Sequence, residues 1–359
     1  MPFGPGTHRS YRARGVVPRL CRCDRFSESS NLQVGSRLAY EPSLIESRFT
    51  RRLILAAGGG AAASALLPHQ VAAAVAVRKD SRLSVPPGAC DAHVHVIGDS
   101  FHFPMSQQRD YTPPPATWKD LAKALDVLGF ERVVVVTPTV YGADNSVTID
   151  AVEQIGRHRA RGVILIDNSA QAARNIPKDN QVVGLRFMAG GAVDLNRLKG
   201  RLNASFDVCA RQNWHLDISM PPELTAALYS ELKQAPVPLV FDYFAWLAGG
   251  VSQVGFDQVI RLLGSGKAYV KLSEPYRLSK RHDYDDLAEV VGQMVKANPD
   301  RILWGSGWPH VDSSATDVPL APNLPIDDSQ LLKILSIWVP DLARRRKILV
   351  ENPARLYRF

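Results

Sequence analysis

From Ala89 to the end of the chain, two kinds of apolar stretch alternate: short β-branched runs, and longer segments with apolar positions every three or four residues. The first kind predicts strands and the second amphipathic helices. Strands are predicted at Ala89–Val96, Glu131–Thr137, Gly162–Ile166, Val182–Phe187, His215–Ser219, Pro238–Asp242, Ala268–Ser273 and Ile302–Gly305. The second of these holds Val133-Val134-Val135-Val136, a continuous run expected of a strand covered on both faces. Helices are predicted at Thr117–Leu128, with Thr117 as N-cap, and at Asn145–Arg159, Asp194–Gln212, Pro221–Lys233, Phe256–Leu263 and Asp285–Ala297. Ser329–Trp338 and Asp341–Val350 close the pattern as helices.

Eight strands alternating with helices over about 275 residues predict a single α/β domain, a (β/α)8 TIM barrel spanning residues 84–359. A doubly wound open sheet would normally carry a Gly-rich turn after its first strand, and none follows His95. Pro104 and Pro113-Pro114-Pro115 mark a long first strand-to-helix loop, which would overhang the C-terminal end of a barrel.

The chain upstream is different in kind. Residues 1–80 hold 12 basic and 5 acidic side chains, against 31 and 30 in the remainder, so most of the net charge of +8 belongs to the leader. The body lacks the basic footprint of a nucleic-acid binder, and no nucleic-acid partner is expected. Residues 1–48 are Arg-, Pro- and Ser-rich and are expected to be a disordered extension or to precede the true start. Arg51-Arg52, a weakly apolar run to Leu67 and small residues through Ala76 make residues 49–80 resemble a twin-arginine export signal. That run is short for a membrane span, so membrane contact would be transient. The expected location is the periplasm, with the cytoplasm as the alternative. Of the cysteines Cys21, Cys23, Cys90 and Cys209, the last two lie in apolar surroundings and are expected to be buried thiols rather than disulfide partners.

Candidate chemistry sits where strands end. In Asp91-Ala92-His93-Val94-His95 the period-two alternation turns both imidazoles the same way, a pair able to bind a metal or hold a carboxylate and a polarised carbonyl. Other strand ends contribute Thr139 and Tyr141, Arg186, Asp217, Asp242 or Tyr243, Ser273 to Arg277, and Ser306 to His310.

Four motifs in order carry a resemblance: Asp91-Ala-His-Val-His95, Tyr269-Val-Lys-Leu-Ser273 followed by Pro275-Tyr276-Arg277, Trp304-Gly-Ser-Gly-Trp-Pro-His310, and Asn352-Pro-Ala-Arg-Leu-Tyr357. Together they resemble the amidohydrolase superfamily, in its branch of 2-pyrone-4,6-dicarboxylate lactonase and related lactone hydrolases. The resemblance spans the body from about Ala89. It implies a metal-independent lactone hydrolase in which His93 and His95 help polarise substrate and arginines hold substrate carboxylates. Arg186 and Arg277 match those arginines, whose bidentate fork suits a carboxylate. Thr139, Tyr141, Tyr276 and His310 are the further candidate substrate contacts.

Two positions depart from the family pattern. Where the family commonly reads Asp-His after strand six, this chain reads Asp242-Tyr243, and Tyr243 becomes a candidate phenol donor to an oxyanion. On this placement Asp242 precedes the usual site position and is expected to point away. Where the family commonly reads Asp after Gly-Ser/Thr, this chain reads Gly307, which cannot take a proton from water. Losing a general base typically removes ~10²–10⁴-fold of rate. With both replaced, too few ligands remain for a closed zinc shell, so no tightly bound metal and no cofactor are expected. The expected activity is hydrolysis of a small carboxylated lactone or cyclic ester. A non-catalytic ligand-binding barrel and a sugar-acid lactone isomerase or lyase are the alternatives, and the sequence leaves the oligomeric state open.

Overall fold

All eight anticipated strands form: β1 (Cys90–Val94), β2 (Arg132–Val136), β3 (Ala160–Ile164), β4 (Val182–Met188), β5 (His215–Ser219), β6 (Leu239–Phe241), β7 (Ala268–Ser273) and β8 (Ile302–Gly305). The computed structural model describes residues 85–166, 181–191 and 193–359. The predicted extension and export signal, with Cys21 and Cys23, lie outside the described residues. Each strand pairs in parallel with the next, in the order β1 to β8.

The sheet closes on itself through a seam just past β8. Gly307 N donates to His93 O at 2.9 Å, and His95 N donates to Trp308 O at 2.8 Å. Asp91 Oδ1 accepts from Ser306 N at 3.0 Å. A Cβ on Gly305 would sit 2.6 Å from His93 Cβ, so only glycine lets the two strands approach this closely.

Helices alternate with the strands: α1 (Trp118–Leu128), α2 (Ser146–Ile155), α3 (Leu195–Gln212), α4 (Pro222–Ala227), α5 (Tyr229–Lys233), α6 (Phe256–Gly264), α7 (Ala288–Ala297), α8 (Asp328–Trp338), α9 (Leu342–Arg346) and α10 (Asn352–Tyr357). Thr117 forms a capping box with Asp120 at the start of α1. Several boundaries differ from the sequence pattern, among them the following four. β3 starts two residues early because Ala160 pairs with Val133 of β2. The span read as one helix from Pro221 breaks at Leu228, a fully buried residue with φ −103° and ψ 12°. The segment before α7 is a 3-10 turn, Asp285–Leu287. The helix read as running to Val350 widens into a π turn at Lys347–Glu351.

Apolar packing occurs in two shells. Val133, Val135, Leu216, Ile218, Val270 and Leu272 face the helices, while Val134, Val136, Val240 and Leu303 belong to a separate inner cluster with Tyr357. Each fully buried side chain of this kind contributes about 1.5–3 kcal/mol. α10 closes the end where strands begin: Arg161 of β3 donates to Tyr357 O at 3.1 Å. On β5 and β7 the positions alternating with the helix-facing ones are Asp217, Ser219, Lys271 and Ser273, all buried. The interior toward the C-terminal end is therefore polar, and the chemistry gathers there.

Candidate active site

The two strand-one histidines come together as the alternation requires, their ring centroids 5.0 Å apart. His95 Nδ1 lies 2.7 Å from Val136 O. A carbonyl can only accept, so Nδ1 carries the hydrogen and Nε2 is left as an acceptor. Burial, then the neighbouring His93 and Arg186, hold His95 well below the usual imidazole range, so the ring is neutral. A neutral ring with this tautomer cannot donate to a substrate carbonyl. It can accept a hydrogen bond from water. Burial likewise lowers His93, although Asp242 beside it pulls the other way.

Beneath the histidines lies a buried ionic layer. Lys271 Nζ stands 2.5 Å from Asp217 Oδ2 and 3.1 Å from Asp242 Oδ1. His93 Nδ1 lies 3.3 Å from both Asp242 Oδ1 and Lys271 Nζ. Burial alone would favour the neutral forms. The ion pairs outweigh it, leaving Lys271 raised, Asp217 lowered and Asp242 well below the usual carboxylate range. Arg186 Nη2 adds a contact to Asp242 Oδ2 at 3.3 Å.

Asp242 does not point away, contrary to the sequence expectation. Alternation counted from the inner residue Val240 turns Asp242 inward as well. Tyr243 also reaches the site because the backbone then flips: Tyr243, Phe244, Ala245 and Trp246 have φ of 52°, 53°, 55° and 59°. A left-handed run of non-glycine residues costs roughly 1–2 kcal/mol per residue. It is held by Arg186 Nη2, which donates to Tyr243 Oη at 2.6 Å, and by Trp246 Nε1, which donates to Ser219 Oγ at 3.1 Å. Burial pushes the Tyr243 phenol up, so it stays protonated. Its oxygen lies 3.2 Å from His93 Nε2.

Glu274, between Ser273 and Pro275, is a site residue that the sequence pattern does not single out. It is 1% exposed, with φ 52° and ψ 54°. One carboxylate oxygen is ion-paired with Arg277 Nε. The other, Oε1, has no hydrogen-bond partner among the described residues and stands 3.7 Å from His93 Nε2. Gly307 is the other half of this arrangement. A Cβ there would sit 2.1 Å from Glu274 Cγ and 2.8 Å from Tyr276 Oη. The space beside Gly307 is thus filled by a carboxylate arriving from β7. The available signal was an acidic residue inside a segment already placed at a strand end.

A cavity of about 260 Å³ opens above these groups. Of the residues singled out from sequence, His95, Thr139, Arg186, Tyr243 and Arg277 border it, as does Gly307. Asp110 and Tyr111 of the long first loop also border it. Both guanidinium groups flank the Tyr243 ring, Arg186 at 5.9 Å and Arg277 at 5.5 Å from its centroid. The remaining candidates lie off the cavity wall. Tyr141 is buried and its hydroxyl accepts from Gly98 N at 3.0 Å. Tyr276 Oη pairs with His310 Nδ1 at 3.2 Å, and His310 Nε2 lies 3.1 Å from Asp328. Burial would lower His310, but Asp328 overrides it and the ring is raised.

The donor set for a metal is larger than the sequence indicated. Ring nitrogens of His93 and His95 and a carboxylate oxygen of Glu274 lie within 4.8 Å of one another. Two histidines and a carboxylate match a catalytic zinc site in type. The surrounding charge does not fit a dication. Arg277 is ion-paired with the same carboxylate, and Lys271 Nζ lies 3.3 Å from His93 Nδ1.

A closed parallel barrel with histidines, arginines and carboxylates gathered at its C-terminal end defines a TIM-barrel enzyme. The amidohydrolase family model matches residues 90–359, and the chain belongs to that family. It is 36% identical over 284 residues to 4-sulfomuconolactone hydrolase from Rhizobium radiobacter, covering 76% of this chain and 91% of that protein. It is 31% identical over 290 residues to a 2-pyrone-4,6-dicarboxylate hydrolase from Comamonas testosteroni, covering 77% and 92%. The solved apo structure of an Agrobacterium tumefaciens protein shares the fold, with TM-score 0.64 and 24% identity over 76% of this chain and 97% of that one.

Proposed function

We propose that the protein hydrolyses a small carboxylated lactone without a bound metal. The observation that carries this reading is the pair of arginines, Arg186 and Arg277, on the wall of one small cavity, each within 5.9 Å of the ring centroid of the protonated Tyr243. The guanidinium groups supply fixed positive charge for a substrate carboxylate. The phenol supplies a hydrogen bond for the carbonyl oxygen as it gains charge during attack. A cavity of about 260 Å³ admits a single-ring substrate and little more. The lactone hydrolases among the relatives support the same chemistry.

The test is a panel of mono- and dicarboxylated five- and six-membered lactones, with ring opening followed by absorbance and proton release. Saturable turnover of at least one carboxylated member, and much weaker turnover of its uncharged methyl ester, is the expected result. A panel that opens no faster than in buffer would refute the reading.

We further propose that residues 49–80 direct export to the periplasm, on the strength of Arg51-Arg52 and the weakly apolar run that follows. Fractionation of cells expressing the full chain checks this. The parent should be periplasmic, and the Arg51→Lys, Arg52→Lys double variant should remain in the cytoplasm.

A further inference from the structure

We infer that Glu274 is the general base of the reaction: its free carboxylate oxygen takes the proton from the attacking water, a role supplied here from the end of β7. The inference rests on the lactone-hydrolase reading and adds the group that reading lacks.

Three observations carry it. Gly307, in the position after Ser306, has no side chain, and the room a side chain would need is occupied by Glu274 Cγ at 2.1 Å from the would-be Cβ. The carboxylate is delivered by a strained backbone. Glu274 holds φ 52°, a conformation that costs a non-glycine residue energy and persists only where its surroundings enforce it. Its two oxygens are treated differently. One is tied to Arg277, which fixes the orientation of the group. The other is nine-tenths buried or more, faces the histidine pair and has no hydrogen-bond partner among the described residues. An unsatisfied buried carboxylate oxygen costs free energy unless something donates to it.

Water fits that role. His95 Nε2 is an acceptor because Nδ1 is committed to Val136 O. A water bonded to two acceptors at about 2.8 Å each holds them roughly 4.5 Å apart. One ring nitrogen each of His93 and His95 and one carboxylate oxygen of Glu274 lie within 4.8 Å of one another, a spacing of that size. Such a water gives one hydrogen to His95 and one to Glu274, and presents its lone pair to the cavity that His95 and Gly307 border.

The step balances without another reactant. The water O–H bond breaks, its proton passes to Glu274 Oε1, and the water oxygen bonds to the lactone carbonyl carbon. The carbonyl π pair moves onto oxygen, where Tyr243 donates to it. Collapse restores the carbonyl and breaks the ring C–O bond, and the proton on Glu274 returns to the departing ring oxygen. The product is the ring-opened hydroxy acid.

The test swaps the origin of the carboxylate, measured on whichever lactone the parent opens. Glu274→Gln retains a hydrogen-bonding partner for Arg277 and should lower kcat by ~10²–10⁴-fold with KM within about threefold of the parent. Glu274→Gly should be as poor. The double variant Glu274→Gly, Gly307→Asp should recover at least about tenfold over Glu274→Gly, since the space vacated by one carboxylate admits the other. Melting temperatures identify any variant that fails to fold; if Glu274→Gln does, the double variant must still be active.

Three results would overturn the inference while leaving lactone hydrolysis intact. They are a Glu274→Gln enzyme that keeps its kcat, a loss confined to KM, which would make Glu274 a positioner of Arg277, and a stoichiometric metal present in the parent and absent from Glu274→Gln. A parent inactive on every lactone removes the hydrolase reading first, and this inference with it.

Discussion

Arg186 Nη2 donates to Tyr243 Oη at 2.6 Å, which fills the phenol oxygen from below and leaves its own hydrogen for His93 or for substrate. The cation also sharpens that hydrogen as a donor, because a hydroxyl that accepts from a charged group polarises along the chain. Tyr243→Phe should therefore lower kcat by about 10²-fold, the loss typical of one oxyanion donor, with KM changed much less. Steady-state kinetics on the best lactone checks it. An unchanged kcat would mean that the phenol only packs.

Among the described residues, Lys271 is the one cation ion-paired with both Asp217 and Asp242. Lys271→Met leaves both carboxylates buried without it and should cost about 3–5 kcal/mol at pH 7. The sign with pH follows from the lowered folded-state pKa of both acids. Their stabilisation is present above the unfolded value of about 3.9 and is lost as pH falls through the folded value. The deficit of the variant should narrow below about pH 4 in urea denaturation.

Asp91 behaves oppositely. Burial pushes its carboxyl up to about 7 although Ser306 and His93 donate to it. The folded state then binds the extra proton between the unfolded and folded values, and stability falls as pH rises from about 4 to about 7. Asp91→Asn removes that slope. The parent should lose a few kcal/mol, on the order of 1.4 per unit, relative to the variant across this window.

Gly307→Asp alone should damage the protein. Its Cβ would meet Glu274 Cγ at 2.1 Å, and φ of 81° is itself unfavourable for a side chain. A lower melting temperature and lower activity than the parent are expected. A stable single variant with raised activity would show that Glu274 moves aside freely.

Metal removal makes a separate check. Because Arg277 shares the Glu274 carboxylate and Lys271 abuts His93, dialysis against a chelator should leave kcat unchanged, and elemental analysis should find no stoichiometric metal. Loss of activity restored by zinc would refute this.

The barrel was legible because burial writes itself into local pattern: the continuous valine run of β2 and the ends of β5, β7 and β8 match their sequence spans. The histidine pair and both arginines were legible for a related reason, since strand ends face the site. What the sequence hid depends on contacts across the barrel. Tyr243 enters through a backbone flip that no periodicity announces, and the inward turn of Asp242 required knowing that Val240 faces in. The complementarity of Glu274 and Gly307 joins residues from β7 and β8 ends that touch only once the strands are side by side.

The seam that closes the barrel runs through the motif that carries the histidines. Asp91 meets Ser306 across 215 residues of chain, and His93 and His95 bond through their own backbones to Gly307 and Trp308. The first and last strands must therefore meet before the imidazoles stand beside Gly307. Contacts this distant form late, after long loops have been closed at an entropic cost. A nascent or partly unfolded chain thus holds all the reactive groups and none of the reactivity, which appears only when the two ends of the barrel find each other.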